Sequence, residues 1–288
     1  MPLDSGGDAA LRHLFHAHAY ILNSDPQHPL ADNLANRSFI RLPESGGFRS
    51  QFVDGYNSGD GVSFKSAYMH VAGTGNAKAG YGVTTLATSV ITGLNVHDMV
   101  TADIVFAQVS TEHPLAGYVP SVTFLGTRFE NLRIAGREVE PALDLEICGS
   151  RPDGDTPYVR DSGFLGRVSR QNEQMRSAPG LSDSAREQYH WDSSAAAQEG
   201  KVECSLVNNV GNAAPGTSYG HIVEVPDYGT VSLGELTVTR AFNLTPLSIK
   251  SHGSGKFRGP HAMANGQNGP GSGSGSGSSG GSGSGGGG

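Results

Sequence analysis

Among the residues most able to do chemistry, the first group is a serine motif. Residues 216–220 read GTSYG and match the G-x-S-x-G pattern that holds the nucleophile of α/β-hydrolases. That pattern needs a sharp turn from a strand into a helix, whereas residues 221–225 (HIVEV) have the composition of a strand. We therefore expect a turn of small residues here and no catalytic serine.

Histidines near the N-terminus form the second group. His16 and His18 would share one face of a strand at a spacing that metal ligands use, and His13 is close in sequence. A zinc or copper site requires further ligands, and no second cluster of His, Cys or Asp has an informative spacing. We expect solvent-facing histidines on an edge strand, and we assign no metal and no cofactor.

Paired carboxylates form the third group. Glu138 and Glu140, like Asp144 and Glu146, are two residues apart and would share a face of a strand. Glycoside hydrolases use two carboxylates that flank the scissile bond. Acids on the polar side of a sheet give the same sequence pattern. A carboxylate-dependent hydrolase acting on glycans therefore stays an alternative, and no catalytic residue is assigned.

The elements that must position these groups are strands, because apolar residues recur with a period close to two. The period predicts one buried face in each of five segments, which carry Val100, Ala102, Ile104 and Phe106; Leu86, Thr88, Val90, Thr92 and Leu94; Leu143, Leu145 and Ile147; Val202, Cys204 and Leu206; and Val231, Leu233, Leu236 and Val238. In the last segment the phase slips at Gly234, where we expect a β-bulge. Near the N-terminus, Phe15, Ala17, Ala19 and Ile21 alternate with polar residues, which favours a strand over a short amphipathic helix.

Turn residues separate the strands at residues 45–47, 58–61, 152–154 and 208–211, and residues 135–136 (AG) indicate a tight hairpin. No fixed repeat period is present, which argues against a propeller or a solenoid. The sequence therefore predicts an all-β protein, an antiparallel β-sandwich or a jelly-roll-like fold.

Composition divides the chain into a domain and a tail. Residues 1–250 are expected to form one β-sandwich-type domain, with a polar insertion at about residues 160–200. Within the insertion, residues 184–187 (SARE) form a capping box that predicts a short helix, and the arginines are expected to form a solvated loop face at Arg160, Arg167, Arg170, Arg176 and Arg186. Residues 251–288 are rich in Gly and Ser and are expected to form a disordered tail.

Charge and hydropathy exclude some partners. A net charge of −7 argues against nucleic acid, which concentrated positive charge recognises. No window approaches the roughly 18 apolar residues of a membrane span, and the first 20 residues show no Sec signal. Cys148 and Cys204 are expected to be buried thiols, and a disulfide bond between them is the alternative.

Several segments together resemble bacterial choice-of-anchor P-type proteins, which are secreted or surface β proteins of mostly unassigned function. They are residues 17–20 (AHAY) with 42–47 (LPESGG), residues 89–96 leading into 100–105, and residues 124–136. Residues 219–229, 236–238 and 242–244 are similar to uncharacterised bacterial proteins of the same general kind. The resemblance implies an extracellular or cell-surface location and assigns no functional residues.

The preferred hypothesis is a non-enzymatic β-sandwich that acts as a binding or structural module, with a glycan or a protein as its partner. A glycan would require exposed aromatic side chains that line a groove, with candidates at Tyr56, Tyr68, Tyr81, Tyr118 and Trp191. The alternatives are the hydrolase and a self-assembling structural subunit with free strand edges. The sequence leaves the ligand and the oligomeric state open.

Overall fold

The structure is a computed structural model of the chain that describes residues 12–24, 38–59, 61–75, 82–114, 117–179, 199–252 and 255–269. Over these residues the chain is mostly β, with antiparallel sheets packed against each other. The predicted all-β class is confirmed, in the form of a β-sandwich.

The strands and helical segments follow one another along the chain in this order. The strands are β1 (Arg12–Tyr20), β2 (Asn23–Ser24), β3 (Phe39–Arg41), β4 (Gly47–Asn57), β5 (Val62–Gly75), β6 (Val83–Val96), β7 (Val100–His113), β8 (Ser121–Thr123), β9 (Arg128–Glu130), β10 (Arg133–Ile134), β11 (Arg137–Glu138), β12 (Glu140–Leu143), β13 (Val202–Ser205), β14 (Val207–Gly211), β15 (Ser218–Tyr219), β16 (Ile222–Val225), β17 (Gly229–Val238), β18 (Phe242–Ser251), β19 (Gly255–Arg258) and β20 (His261–Gly269). Between β12 and β13, a short 3-10 turn covers Tyr158–Arg160 and helix α1 covers Ser162–Arg176.

Sheet A has the strand order β15-β16-β17-β18-β20-β1-β3, with β13 added to β17, β19 to β18 and β2 to β19. β1 pairs antiparallel with β20 from Arg12↔Gly269 to Tyr20↔His261. Phe15, Ala17 and Ala19 are buried in the core, and the residues between them are less buried. The predicted N-terminal strand is therefore confirmed.

Sheet B has the order β11-β10-β7-β6-β5-β4, and β8 and β9 also pair with β7, at residues 110–112 and 104–106 respectively. β5, β6 and β7 each have 14 residues and form an antiparallel meander. The core lies where β1, β18 and β20 of sheet A pack over β5, β6 and β7. Small residues on sheet A, such as Ala19 and Ala262, share this core with larger ones on sheet B, such as Met69 and Ile91. Small and large side chains together fill the space between the sheets.

Three neighbouring strands of sheet B change their buried face at one level. In β6 the alternation of buried residues slips between Ile91 and Leu94, where Gly93 has φ +59°. β5 and β7 slip at the matching positions, at residues 65–66 and 103–104. The predicted buried face is therefore wrong before the slip in β6 and after the slip in β7. In these parts the outer face carries Leu86, Val90, Ile104 and Phe106.

The bulge predicted at Gly234 is wrong in form. The pairs Leu233↔Leu247 and Glu235↔Thr245 keep one register between β17 and β18, so no residue is inserted. Gly234 instead has φ +68° and lies where β17 exchanges its partner β16 for β13. The buried face changes there without a change of register.

Of the short connections predicted between strands, one is confirmed and another is wrong. The hairpin predicted at residues 135–136 is confirmed, since Ala135 and Gly136 have φ values of 50° and 74° between paired β10 and β11. The turn predicted at residues 208–211 is wrong, because these residues lie in β14 and pair with β12. The strand predicted through Ile147 ends at Leu143, and a turn follows. Pairing with a distant strand overrides the local turn preference of Asn.

Helix α1 lies in the first half of the polar insertion, where the sequence analysis placed no helix. Its N-cap is Asp161, whose Oδ2 accepts a hydrogen bond from the Phe164 N–H at 2.6 Å. Phe164, Val168 and Met175 are buried and share one face of the helix. The helix predicted at residues 184–187 lies outside the described residues.

The arginines of this segment do not form the predicted loop face. Arg160 lies in the 3-10 turn, and Arg167, Arg170 and Arg176 lie on α1. The Arg167 guanidinium donates to the carbonyls of Ile147 and Cys148 at 2.7 and 2.6 Å, so it ties the helix to the preceding turn. Arg186 lies outside the described residues.

The folded part extends beyond the predicted boundary at residue 250. β20 lies inside sheet A between β18 and β1, and its Ala262 and Ala264 are fully buried. Alanine gives a weak hydropathy signal, yet these two residues belong to the core between the sheets. Of the predicted tail, residues 270–288 lie outside the described residues.

The two cysteines, Cys148 and Cys204, are buried free thiols, as the sequence favoured. Burial raises the pKa of both thiols. No helix among the described residues is long and apolar enough to cross a membrane.

Candidate functional site

A concave site of about 330 Å³ opens at one end of the sandwich, and we call it the end cavity. Four distant parts of the chain supply its walls: the β7–β8 loop, the segment leading into the 3-10 turn, the β17–β18 turn with the start of β18, and the middle of β20. The ends of a β-sandwich collect loops in this way, and such loops carry function on a rigid scaffold.

Tyr118 is the exposed aromatic side chain of the cavity, with 64% of its surface accessible. Its backbone N–H donates to Asp155 Oδ1 at 2.8 Å. The preceding residue, Gly117, has φ +106°, and a Cβ there would lie 3.0 Å from the same carboxylate oxygen. Asp155 therefore holds the backbone at Tyr118, while the Tyr118 ring remains open to solvent.

The opposite wall is apolar and closely packed. The rings of Tyr158 and Phe242 meet edge to face, with centroids 5.2 Å apart, and Tyr158 makes a second such contact with Phe164 at 5.9 Å. Tyr158 is 3% exposed, and its hydroxyl has no hydrogen-bond partner among the described residues. Burial, with nearby Cys148, raises the pKa of Tyr158, so the hydroxyl stays protonated.

Polar side chains complete the rim. Arg240 is exposed and, like Asn265, makes no side-chain hydrogen bond or ion pair within the part of the chain that the structure describes. The Thr239 hydroxyl is already used in its own turn, where it accepts from the Ala241 N–H at 3.1 Å. The groups that can bind a ligand are therefore the guanidinium, the Asn265 amide and the remaining lone pairs of Asp155.

Behind Gly266, which lines the cavity, lie two histidine rings. A Cβ at Gly266 would collide with the His13 ring, so only glycine allows this approach. The rings of His13 and His113 are 5.0 Å apart, and His113 is fully buried. Burial, with His13 nearby, lowers the pKa of His113 to about 4, so its ring is neutral near pH 7.

The serine motif does not have the strand–turn–helix structure of a nucleophile elbow. Ser218 and Tyr219 form β15, which turns back onto β16 in an antiparallel hairpin. The Ser218 hydroxyl donates to the Val210 carbonyl at 3.2 Å. The strand-like residues after the motif are thus a strand, as the sequence predicted, and no helix follows the serine.

His16 and His18 lie on the outer face of sheet A, whereas His13 lies on the same face of β1 as the buried Phe15. β1 has β20 and β3 on its two sides, so the predicted edge position is wrong. The His18 ring lies 5.4 Å from His261 and 5.7 Å from Phe39. Burial and nearby Arg41 lower the pKa of His18. Within the described ranges, no three His, Cys, Asp or Glu residues are grouped so that they could hold a metal ion.

The paired carboxylates lie outside the end cavity. Glu138 and Glu140 are exposed, and Glu138 forms an ion pair with Arg133 at 3.2 Å. Asp144 accepts the Glu146 N–H at 3.1 Å within the turn that ends β12. Glu138 and Asp144 therefore each make a local contact.

Of the aromatic candidates, Tyr118 lines the cavity and Tyr68 lies on the outer face of sheet B. Tyr56 stacks on Phe64 with a centroid distance of 5.6 Å. Tyr81 and Trp191 lie outside the described residues. No sequence pattern indicates Asp155, Arg240 or Asn265, because they lie in separate loops and strands that only the fold brings together.

Comparison with known proteins gives a family and no function. No curated protein and no solved structure matches the chain. One family matches residues 13–239, a span that begins in β1 and ends directly after β17. It includes Tyr118, Asp155 and Tyr158 and stops before Arg240. Because this match covers most of the chain, the protein belongs to DUF8256, a family defined by a domain of unknown function.

Proposed function

We propose that this protein is a non-enzymatic β-sandwich binding module whose end cavity holds a saccharide unit. The observation that carries the proposal is the exposed ring of Tyr118 beside a cavity whose rim carries Arg240 and Asn265, two side chains without a polar partner among the described residues. An aromatic face packs against the C–H face of a sugar ring, and its polar tip remains hydrated. Asp155, Arg240 and Asn265 supply acceptors and donors for the sugar hydroxyls.

The size of the cavity favours one small ligand. Its volume of about 330 Å³ lies at the lower end of the roughly 300–1,000 Å³ found for small-molecule sites. The wall formed by Tyr158 and Phe242 is rigid, because each ring is held by edge-to-face contacts. A preformed site of this kind loses little conformational entropy on binding.

The arrangement of carboxylates supports binding over glycan hydrolysis. Among the described residues that line the end cavity, Asp155 is the one that carries a carboxyl group. Hydrolysis by either common mechanism uses two carboxyl groups, roughly 5–10 Å apart, on the two sides of the bond. The Asp155 carboxylate also accepts the Tyr118 N–H, which gives it a positioning role.

A glycan array with the full chain, followed by calorimetric titration of the bound saccharide, tests the proposal. We expect Tyr118→Ala to weaken binding by about tenfold or more, since it removes the stacking surface, and Tyr118→Phe to retain most of the affinity. The matched control is Leu125→Ala, which changes another exposed apolar residue that does not line the cavity. An array without any bound saccharide, or equal affinity for wild type and Tyr118→Ala, would overturn the proposal.

Release of shortened saccharide during the titration would show hydrolysis. It would contradict the proposal that the protein is non-enzymatic, but not the proposed binding site. Product analysis of the titrated sample by mass spectrometry separates the two outcomes.

We extend the proposal to a bacterial surface or secreted location, which rests on the resemblance to choice-of-anchor P-type proteins. Fractionation of the source cells with an antibody against the domain tests it, and recovery in the cytosolic fraction alone would contradict it.

A further inference from the structure

The polar side chains of the end cavity fall into two groups of opposite charge. Asp155 and Tyr118 lie together, because the Asp155 carboxylate accepts the Tyr118 N–H at 2.8 Å. Arg240 and Asn265 form the second group, since the pairing of β18 with β20 brings the β17–β18 turn beside the middle of β20. The first group therefore carries a carboxylate, and the second carries a guanidinium with an amide.

Arg240 is held at the tip of a short turn. The Thr239 N–H donates to the Ala241 carbonyl at 2.9 Å, and the Ala241 N–H donates to the Thr239 hydroxyl at 3.1 Å. The backbone at Arg240 is thus fixed, while its exposed side chain makes no hydrogen bond or ion pair with any described residue. A guanidinium presented in this way can bind a ligand without first breaking an ion pair.

The two charged side chains of the cavity are not paired with each other. Arg240 and Asp155 are both described and both line a cavity of about 330 Å³, yet no ion pair joins them. The Asp155 carboxylate is already bonded to the Tyr118 backbone, whereas Arg240 keeps its five N–H donors for a ligand. A guanidinium matches a carboxylate best, because two parallel N–H donors meet two oxygens.

We propose that the end cavity binds an acidic sugar, a uronic acid unit, with its carboxylate on Arg240 and its ring hydroxyls at Asp155. The Asn265 amide lies on the same side as Arg240 and supplies a further donor to the carboxylate. A uronic acid fits this polarity, because its carboxylate and its hydroxyls project from different positions of the ring. The inference rests on the proposed saccharide binding and adds the class of sugar and its orientation.

The net charge of −7 does not prevent the binding of an acidic sugar. At physiological ionic strength, exposed charges farther apart than about 8 Å are largely screened from each other. The contact with Arg240 is shorter than this, so the guanidinium decides the local preference. Because Arg240 is exposed, the contact should weaken as salt is added.

Matched sugars test the charge preference by calorimetric titration of the full chain. Oligosaccharides of glucuronic, galacturonic and mannuronic acid are paired with those of glucose, galactose and mannose, at the same linkage and length. We expect at least one acid to bind about tenfold or more tightly than its neutral counterpart. This preference should shrink at about 1 M salt, where the Debye length falls to about 3 Å.

The outcomes separate this inference from the proposed function. If neutral sugars bind and no acid binds more tightly than its neutral counterpart, the acidic assignment is overturned and saccharide binding stands. If no sugar binds, both are overturned.

Variants of Arg240 test the residue itself. Arg240→Gln should weaken binding of the acidic sugar by about tenfold or more and lower its preference over the neutral counterpart. Arg240→Lys keeps the charge but loses the paired N–H donors, so its affinity should lie between those of wild type and Arg240→Gln. Arg170→Gln is the matched control, since it removes the same charge from an exposed residue of α1 outside the cavity, and it should bind like wild type.

Far-UV circular dichroism confirms that each variant is folded. An acidic preference that Arg240→Gln leaves unchanged would overturn the proposal, because another group would then bind the carboxylate.

Discussion

A buried histidine, His221, makes the stability of the fold depend on pH. The residue lies directly before β16 and is 2% exposed. Burial lowers its pKa from the ordinary value of 6.5 to about 4. Between these values the unfolded chain binds a proton that the folded chain does not bind, so stability falls as the pH falls. His221 alone therefore lowers the free energy of unfolding by about 2 kcal/mol at pH 5, and by about 3 kcal/mol near pH 4.

Urea unfolding of wild type and His221→Gln at pH 7 and at pH 5 measures this contribution. We expect the wild type to lose about 2 kcal/mol more than the variant between the two values, since glutamine does not titrate. Effects of the carboxylates cancel in this difference, and His252→Gln, at an exposed position, is the matched control. Equal losses for wild type and His221→Gln would refute the reasoning. Burial also lowers the pKa values of His113 and His261, to about 4 and about 3, so these residues add to the total loss in the same direction.

Two further substitutions test the packing, each by urea unfolding at neutral pH. Gln171→Leu should lower the free energy of unfolding by about 2–4 kcal/mol. The buried Gln171 amide donates to the Ser205 carbonyl at 2.9 Å and accepts the Ser205 N–H at 3.0 Å, so both backbone groups would lose a partner. A loss near zero would contradict these contacts. Gly266→Ala should lower the free energy of unfolding by about 1–3 kcal/mol, because the new methyl group collides with the His13 ring. The control Gly75→Ala should be nearly neutral, because a Cβ there meets nothing within 4 Å. Equal effects of the two substitutions would contradict the close approach of Gly266 to His13.

Sequence periodicity predicted the fold class because most strands bury one face. In β1, Phe15, Ala17 and Ala19 alternate with less buried residues over the whole strand, so the pattern gave the correct face. It failed in β6 and β7, because each strand changes its buried face partway, at the level of Gly93. A glycine inside a strand indicates such a change, but the sequence alone does not show which side of it packs on sheet A.

Of the residues that line the end cavity, the sequence analysis names Tyr118, as a candidate exposed aromatic side chain. Asp155 and Arg240 lie in loops, where periodicity carries no information about neighbours in space. Asn265 and Gly266 lie in β20, within a segment that the composition assigned to a disordered tail. The strand forms because it pairs with β18 and β1 and buries Ala262 and Ala264 in the core, and β1 lies far away in the chain.

Localisation of a bound saccharide on the full chain tests the proposed binding site most directly. The measurement is a two-dimensional ¹H–¹⁵N NMR titration of labelled protein with the best-binding saccharide from the array. We predict saturable shifts of the backbone amides of Tyr118, Arg240 and Gly266, with the amide of Phe52 unchanged. Shifts that cluster on β4 and leave the end cavity unchanged would contradict the account.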